Sequence, residues 1–320
     1  MSAIAEPEST ESGFQAGRYA AIDIGTVTCR MLVADVDEAG RLHELDREYT
    51  ITNLGEGVDA TGVLKPAAMQ RVADAVARFL DVLRGFATPE HPAITTRAMA
   101  TSAARDARNA DEFEALMAGL GVTLSVIPGE REAALSFAGA SCDFRGERLL
   151  VVDIGGGSTE LTRIESSLDF DNASIGQGSL SSFAQHVRAI LPTPGEMDAI
   201  AEAFRKRFAG LPDPDAYRSE ALYGIGGSVR AAAKMHAQAT GAAVRPKTMT
   251  KQQIHAILAW CRTDPDTFAH AALKASAERV HTLVPGCIIL GELFDACGAE
   301  RLDVCKYGVR EGYLIDRMLR

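Results

Sequence analysis

The chain has 320 residues, 47% hydrophobic and 24% charged, a balance that suits two soluble globular domains and contains no apolar run long enough to span a membrane. Its formal net charge of −10 argues against a general nucleic-acid binder, because phosphate affinity is weak without a basic face. Six cysteines without a CxxC pair, and seven histidines without an HExxH pattern, argue against a zinc site or a disulfide framework and leave buried, reduced thiols as the expectation.

Residues 1–17 carry acids where a signal peptide needs basic residues and an apolar core, so they read as a disordered tail and a cytoplasmic location is expected. Tyr19 to Val36 then reads as strand, short turn at Gly25 to Thr28, and strand. A further strand is expected over Arg41 to Tyr49, and a loop at Leu54-Gly-Glu-Gly. Pro66 opens a packing helix with Met69, Val72, Ala73, Val76, Leu80 and Leu83 on one face. Ala93 to Ser102 alternates as a strand, and Asn109 stands where a helix cap is wanted. Leu124 to Ile127 is a short strand, followed by Pro128-Gly-Glu-Arg-Glu-Ala and a helical pattern over Ala133 to Ala140.

The stretch Leu149 to Leu161, LLVVDIGGGSTEL, carries the chemistry. An apolar strand containing Asp153 runs into Gly155, Gly156 and Gly157, which let the backbone turn its N–H groups inward on an anion. Ser158 and Thr159 add hydroxyls and Glu160 a second carboxylate, so a divalent cation could bridge protein and phosphate oxygens here; the plain alternative is a glycine hairpin between two strands. Asp23 and Gly25 answer Asp153 and Gly155 in form, which is the mark of a duplicated domain with two such loops facing each other across a cleft.

The second unit then repeats the first, with a strand at Phe170 to Ile175, helices at Ser181 to Ile190 and Glu196 to Phe208, and a strand at Leu222 to Ser228 running into Gly226 and Gly227. That glycine pair either meets a phosphate or simply turns a strand into the next helix at Val229. Helices are expected over Thr250 to Thr263, Pro265 to Glu278 and Ile288 to Ala296, the last after a turn at Val284-Pro285-Gly286. A strand at Leu302 to Cys305, a turn over Gly308 to Gly312 and a closing helix from Tyr313 complete the pattern. The implied division is a tail over 1–17, an N-terminal domain over 18–135 and a C-terminal domain over 136–320, with the closing helix free to pack back on the first domain.

Eight blocks, among them AAIDIGTVTCRMLVADV, ATSAARDARNADEF, VIPGEREAALSFAGA, LLVVDIGGGSTEL, LYGIGGSVRAAAK and GVREGYLIDRM, stand in the order and spacing of the Ppx/GppA family, which the chain resembles from Tyr19 onward. The resemblance implies an α/β fold of two actin-like (ribonuclease H-like) domains, each a five-stranded sheet with flanking helices, and an interdomain cleft. It implies hydrolysis of a terminal phosphoanhydride bond, as in exopolyphosphatases and guanosine pentaphosphate phosphohydrolases. The family's catalytic glutamate falls on Glu132, with Glu130 one helical step away, and Arg105 and Arg30 match places where a cation neutralises the transferred group. Asp153 and Glu160 match the acids that hold magnesium, with manganese the other candidate. Gly25, Thr26 and Thr28, with Gly155, Gly156, Gly157 and Ser158, match the phosphate turns, and Gly226, Gly227 and Ser228 the third glycine block.

Three positions depart from the family pattern: Val27 replaces an asparagine, Ala134 an arginine, and Val304-Cys305-Lys306-Tyr307 a serine-bearing segment. The expected substrate is inorganic polyphosphate, in short chains, with guanosine pentaphosphate as the rival; a kinase or chaperone of the same fold would need an extra domain, and a non-catalytic sensor of either ligand is the remaining class. No nucleic-acid or membrane partner is expected. Related two-domain proteins often pair, and a homodimer would extend the groove, although no apolar stripe demands one.

Overall fold

Strand β1 (Gly17–Ile24) is buried on both sides: Ala20, Ile22 and Ile24 point into one apolar cluster and Ala21 into another, which is why its sequence reads as a continuous apolar run. The computed structural model describes residues 16–38, 41–129, 131–132, 134–135, 149–166, 169–305 and 308–318. Most of the expected tail, Glu130, Ala133, the helical pattern beyond Leu135 with the C-terminal side of the expected 135/136 boundary, and the pair Lys306-Tyr307 lie outside the described residues.

β1 pairs antiparallel with β2 (Thr28–Val36), which pairs with β3 (Leu42–Ile51), and runs parallel to β4 (Thr95–Ala100), itself parallel to β5 (Leu124–Val126). The order β3-β2-β1-β4-β5 makes the first sheet. A short helical turn α1 (Val58–Thr61) precedes α2 (Pro66–Arg84), which starts on proline and lays Met69, Val72, Val76, Phe79 and Leu83 on one face of the sheet. Helices α3 (Ser102–Arg105) and α4 (Ala110–Gly119) follow β4.

The second sheet repeats this plan. β6 (Leu149–Ile154), β7 (Thr159–Ser166) and β8 (Asp169–Ile175) form the antiparallel meander, and β9 (Ala221–Ile225) and β11 (Arg301–Val304) the parallel strands, so β8-β7-β6-β9-β11 corresponds to the first sheet strand for strand. Two actin-like lobes result. A sixth strand, β10 (Thr248–Thr250), corrects the expectation of five; Met249 is fully buried, and that burial draws the segment onto the sheet edge ahead of the next helix.

Around this sheet lie α5 (Ser179–His186), α6 (Pro194–Ala209), α7 (Gly226–Thr240), α8 (Lys251–Thr263), α9 (Pro265–Ser276) and α10 (Val280–Cys297). The expected turn at Val284-Pro285-Gly286 lies inside α10 instead. Pro285 sits in the helix's second turn, and Gly286 brings the helix against α7, since a Cβ there would lie 2.9 Å from Ser228 Cβ. α7 begins at Gly226 rather than Val229, with Gly226 at φ +88°. The last helix, α11 (Val309–Met318), begins within the expected turn, because the Glu311 side chain accepts from Gly308 N–H at 2.8 Å and closes the helix start. Although α11 follows a strand of the second sheet, Val309, Tyr313 and Leu314 pack against Ala21, Leu32, Ala34 and Met99 of the first.

Phe294 in α10 is fully buried in the large cluster of the second lobe. Phe294→Ala is expected to lower stability by about 3–5 kcal/mol, read as an earlier urea midpoint for the parent fold.

Candidate active site

The two hairpin turns are built alike. Gly25 N–H donates to Thr28 O at 2.9 Å, and Gly155 N–H to Ser158 O at 3.0 Å. In each turn the carbonyls are taken from behind. Thr52, Asn53 and Gly55 donate their backbone N–H groups to Val27 and Thr26, and the first amides of α5, from Ser179, Leu180 and Ser181, donate to Gly155 and Gly156. With the carbonyls so occupied, the amide edges of both turns are left for the cleft, the arrangement an anion needs. Asn53 holds a left-handed backbone, φ +46°, to make its contact.

The turns also touch each other. A Cβ on Gly156 would lie 2.7 Å from Thr26 Cβ and 2.8 Å from Val27 Cγ2, and one on Gly157 would lie 2.7 Å from Ser102 Oγ. Only glycine permits this approach. Thr26 and Ser102 share a buried hydroxyl hydrogen bond of 2.8 Å at the contact. Val27, standing where the family has asparagine, keeps the backbone role through its carbonyl and spends its side chain on the contact.

Strand register explains the charges. Asp23 lies opposite Arg30 across β1 and β2, and Asp153 opposite Glu160 across β6 and β7. One scaffold position therefore carries a cation in the first lobe and an anion in the second. Glu132 reaches the same place from the short helical segment after Pro128, whose carbonyl accepts the Glu132 N–H at 2.9 Å. Its Oε2 accepts from Arg105 Nη1 at 3.3 Å, and the same nitrogen donates to Ile127 O at 3.3 Å, so Arg105 braces the carboxylate from the first lobe.

A cavity of about 80 Å³ lies between the turns, lined by Asp23, Gly25, Thr26, Thr28, Arg30, Glu132, Asp153, Gly155, Gly156, Ser158, Gly226 and Gly227 among others. The other expected residues stand behind this wall. Glu160 is buried, accepting from Ser174 Oγ at 3.1 Å; Arg105 supports Glu132; Gly157 packs on Ser102; and Ser228 Oγ donates to Ile154 O at 3.0 Å. Gly226 has room for nothing larger, since a Cβ there would run into Asp153 Oδ1.

Five lining cations or hydroxyls were outside the sequence expectation: Thr101, Ser102, Arg230, Arg279 and Arg310. Arg230 is one helical turn after Gly226 and Arg310 lies inside the quoted GVREGY block, so both were within reach of the motifs; Arg279 comes from an unmarked segment. Among the described residues no carboxylate stands within ion-pair distance of Arg30, Arg230 or Arg279. Burial, reinforced by Arg30 in each case, lowers Arg230 to about 9 and Arg279 to about 10.

The acids are displaced the opposite way. Burial, then Asp153, pushes Glu160 up to about 7, with hydrogen bonds from Ser158 and Ser174 opposing. Burial, then Glu160 and Asp153, raises Glu132 well above the ordinary carboxylate range, and burial raises Asp23 against the pull of Arg30. A second cavity of about 360 Å³ continues outward from the first, sharing Thr28, Arg30, Gly227, Arg230, Arg279 and Arg310 with it. Its further lining includes Arg47, Lys234, Arg245 and the exposed Tyr49 ring.

Paired turns that present amides, set between two actin-like lobes with acids on one wall and unpaired arginines on the other, place the molecule in the actin-like class of phosphate-binding folds. Within that class the chain belongs to the Ppx/GppA phosphatase family, whose sequence profile matches residues 32–320. An exopolyphosphatase 2 of Mycobacterium tuberculosis is 43% identical over 155 residues, covering 45% of this chain and 47% of that protein. A guanosine-5'-triphosphate,3'-diphosphate pyrophosphatase of Aeromonas hydrophila is 28% identical over 92% of this chain and 58% of its own length. The aligned stretches thus span about half the length of these relatives. Among solved structures, an exopolyphosphatase of Cytophaga hutchinsonii superposes with a TM-score of 0.81 at 21% identity, covering 94% of this chain and 97% of that one. The Aquifex aeolicus family member gives 0.75 at 22% identity, over 95% and 98%.

A carboxyl whose folded pKa exceeds the unfolded value binds more protons in the native state, so its stabilising protonation is complete below the unfolded value and lost as pH rises through the folded one. For Glu160 that window runs from about 4.5 to about 7. The melting temperature without divalent cation is therefore expected to fall across this window, and Glu160→Gln to flatten the fall.

Proposed function

We propose that this protein is an exopolyphosphatase, which hydrolyses the terminal phosphoanhydride bond of inorganic polyphosphate, favouring short chains. The observation that carries the reading is the paired imbalance of charge in one cleft: carboxylates raised by burial and mutual repulsion face arginines that have no acid to meet. A polyanion accompanied by a divalent cation relieves both at once.

In this reading the terminal phosphoryl group lies in the inner cavity against the amides of Gly25 to Thr28 and Gly155 to Ser158. Arg30, Arg230, Arg279 and Arg310 take the charge of the following phosphates, toward the outer cavity. Glu132, held by Arg105, accepts a proton from a water aligned with the terminal phosphorus. As the new O–P bond forms, the bridging P–O bond breaks; orthophosphate leaves, and the bridging oxygen stays with the shortened chain. A base with a raised pKa is suited to this task near neutral pH. Gly226 and Gly227 keep the floor of the cavity open.

The donor set fits a hard cation, being all carboxylate and phosphate oxygen. No group of three or more acids, cysteines or histidines among the described residues is placed to hold an ion by itself, which suits a cation that keeps waters and substrate oxygens in its shell. Asp153, which lines the cavity, would hold it, with Glu160 paired to it across the strands from behind, whether magnesium or manganese, and its chemistry when bound is to neutralise the phosphoryl oxygens.

Guanosine pentaphosphate is the second reading. The Aeromonas relative's name favours it, as does Tyr49, whose ring at the outer cavity offers a base a surface.

Phosphate release with magnesium from tripolyphosphate, a polyphosphate of hundreds of units and guanosine pentaphosphate distinguishes these readings. Tripolyphosphate is expected to turn over fastest, and Glu132→Gln to lose roughly 10²- to 10⁴-fold in kcat on it. Faster release from guanosine pentaphosphate would move the assignment to the second reading; binding without release from any of them would make the protein a sensor. Gly156→Ala, which forces the turns apart, is expected to lose on the order of 10²-fold in kcat/KM while the fold persists.

A further inference from the structure

Glu311 is a buried acid that the proposed chemistry does not use. It is 2% exposed, stands in the first turn of α11 at the edge of the inner cavity, and meets three cationic or N–H donors. Its Oε2 accepts from Gly308 N–H at 2.8 Å, its Oε1 lies 2.8 Å from Arg47 Nη2 on β3, and Arg310 Nη2 stands 4.0 Å from the same oxygen. Arg310 also donates to Met31 O from its other nitrogen, at 3.5 Å. Arg310 lines both the inner and the outer cavity, and Arg47 lines the outer one.

We infer that Glu311 is a positioning residue for substrate binding: by joining Arg47 of β3 to the start of α11, it fixes Arg310 at the junction of the two cavities, where the second phosphate of a linear polyanion passes. Three features support this. A buried carboxylate without cations would be strongly disfavoured, so the pair is an obligate one rather than a decorative surface contact. Long side chains lose much rotamer freedom when immobilised, and an arginine fixed before substrate arrives loses less on binding. The Arg310 guanidinium, finally, has a backbone carbonyl at one nitrogen and a carboxylate near the other, so it is tethered at both.

This inference rests on the cleft being the polyanion site, and the experiment separates the two. Tripolyphosphate binding with magnesium is measured by calorimetry at pH 7 for the parent, Glu311→Gln, Arg47→Met, the double variant and Leu314→Ala, with KM and kcat taken for each. Leu314 holds the same helix through its apolar face and serves as the structural control. Glu311→Gln and Arg47→Met are expected each to weaken binding and raise KM by roughly tenfold with kcat within about threefold. Each removes one charged partner of a buried ion pair. The double variant is expected to add less than threefold more, because the two residues act as one unit. Leu314→Ala is expected to lower the melting temperature without the change in affinity.

If the parent binds no tripolyphosphate, the polyanion reading itself fails. If the parent binds and Arg47→Met binds as tightly, or the affinity losses merely follow melting temperature across the set with Leu314→Ala included, Glu311 has no positioning role. Should Glu311→Gln fail to fold, Glu311→Asp, which keeps the charge but shortens its reach to Arg47, takes its place in the same KM-against-kcat split, and unchanged KM there removes the positioning role.

Discussion

Repulsion among Glu132, Asp153 and Glu160 is the constraint from which the rest of the cleft follows. Three carboxylates beside one another, two of them buried and Asp153 partly so, are unfavourable in an isolated chain, and burial has already raised Glu132 and Glu160 above their ordinary range. The fold sustains the arrangement because each acid is attached to something rigid: Asp153 and Glu160 to paired strands, Glu132 to Arg105. Opposite them stand Arg30 on β2, Arg230 on α7 and Arg279 ahead of α10, which among the described residues have no acid within ion-pair distance, and Arg310 on α11, held by Glu311. Neither wall is satisfied by the other. The unsatisfied charge is a preorganised environment for a ligand carrying many negative charges with its cation.

Duplication supplied this asymmetry economically. The two hairpins share a turn hydrogen bond, a carboxylate on the inner strand and carbonyls satisfied from behind, so the same backbone device occurs on both sides of the cleft. The charge difference is one cross-strand residue, arginine at Arg30 and glutamate at Glu160. In the proposed reading, that change suits the first turn to phosphate alone and the second to phosphate with a metal. The correspondence extends further: registering Asp23 with Met99 and Asp153 with Ile225 makes Ser102 the partner of Ser228, each a hydroxyl just past the parallel strand.

Most of the sheet was legible because strands buried on both faces give apolar runs and tight turns demand glycine. Asp153 and the glycine turns were legible in a strand that runs into glycines, whereas Glu132 came only from the family resemblance; the structure brings them to one cavity. What the sequence hid was set by distance. Arg279 comes from a segment without a local pattern, and its place over Gly227 follows from how α10 docks, which spacing does not encode. Pro285 and Gly286 read as a turn because each is locally unfavourable in a helix; packing against Ser228 overrode the local preference. Met249 was lost in the opposite direction, three residues being too few for a periodic signal. Gly157 and Ser228 share their motif with cleft-lining neighbours, and only the fold shows that they face the contact behind them.

The return of α11 to the first lobe has an outcome during synthesis. Ala21, Leu32, Ala34 and Met99 belong to strands made early, yet the residues that cover them, Val309, Tyr313 and Leu314, are made some two hundred positions after the last of those strands. Until α11 emerges from the ribosome, that face of the first sheet has Ile127 and Leu135 against it but lacks its last three apolar residues, and the groove lacks Arg310. Completion of the lobe and completion of the groove are therefore the same late event, and a nascent chain holding both sheets in full would still be without a finished binding site.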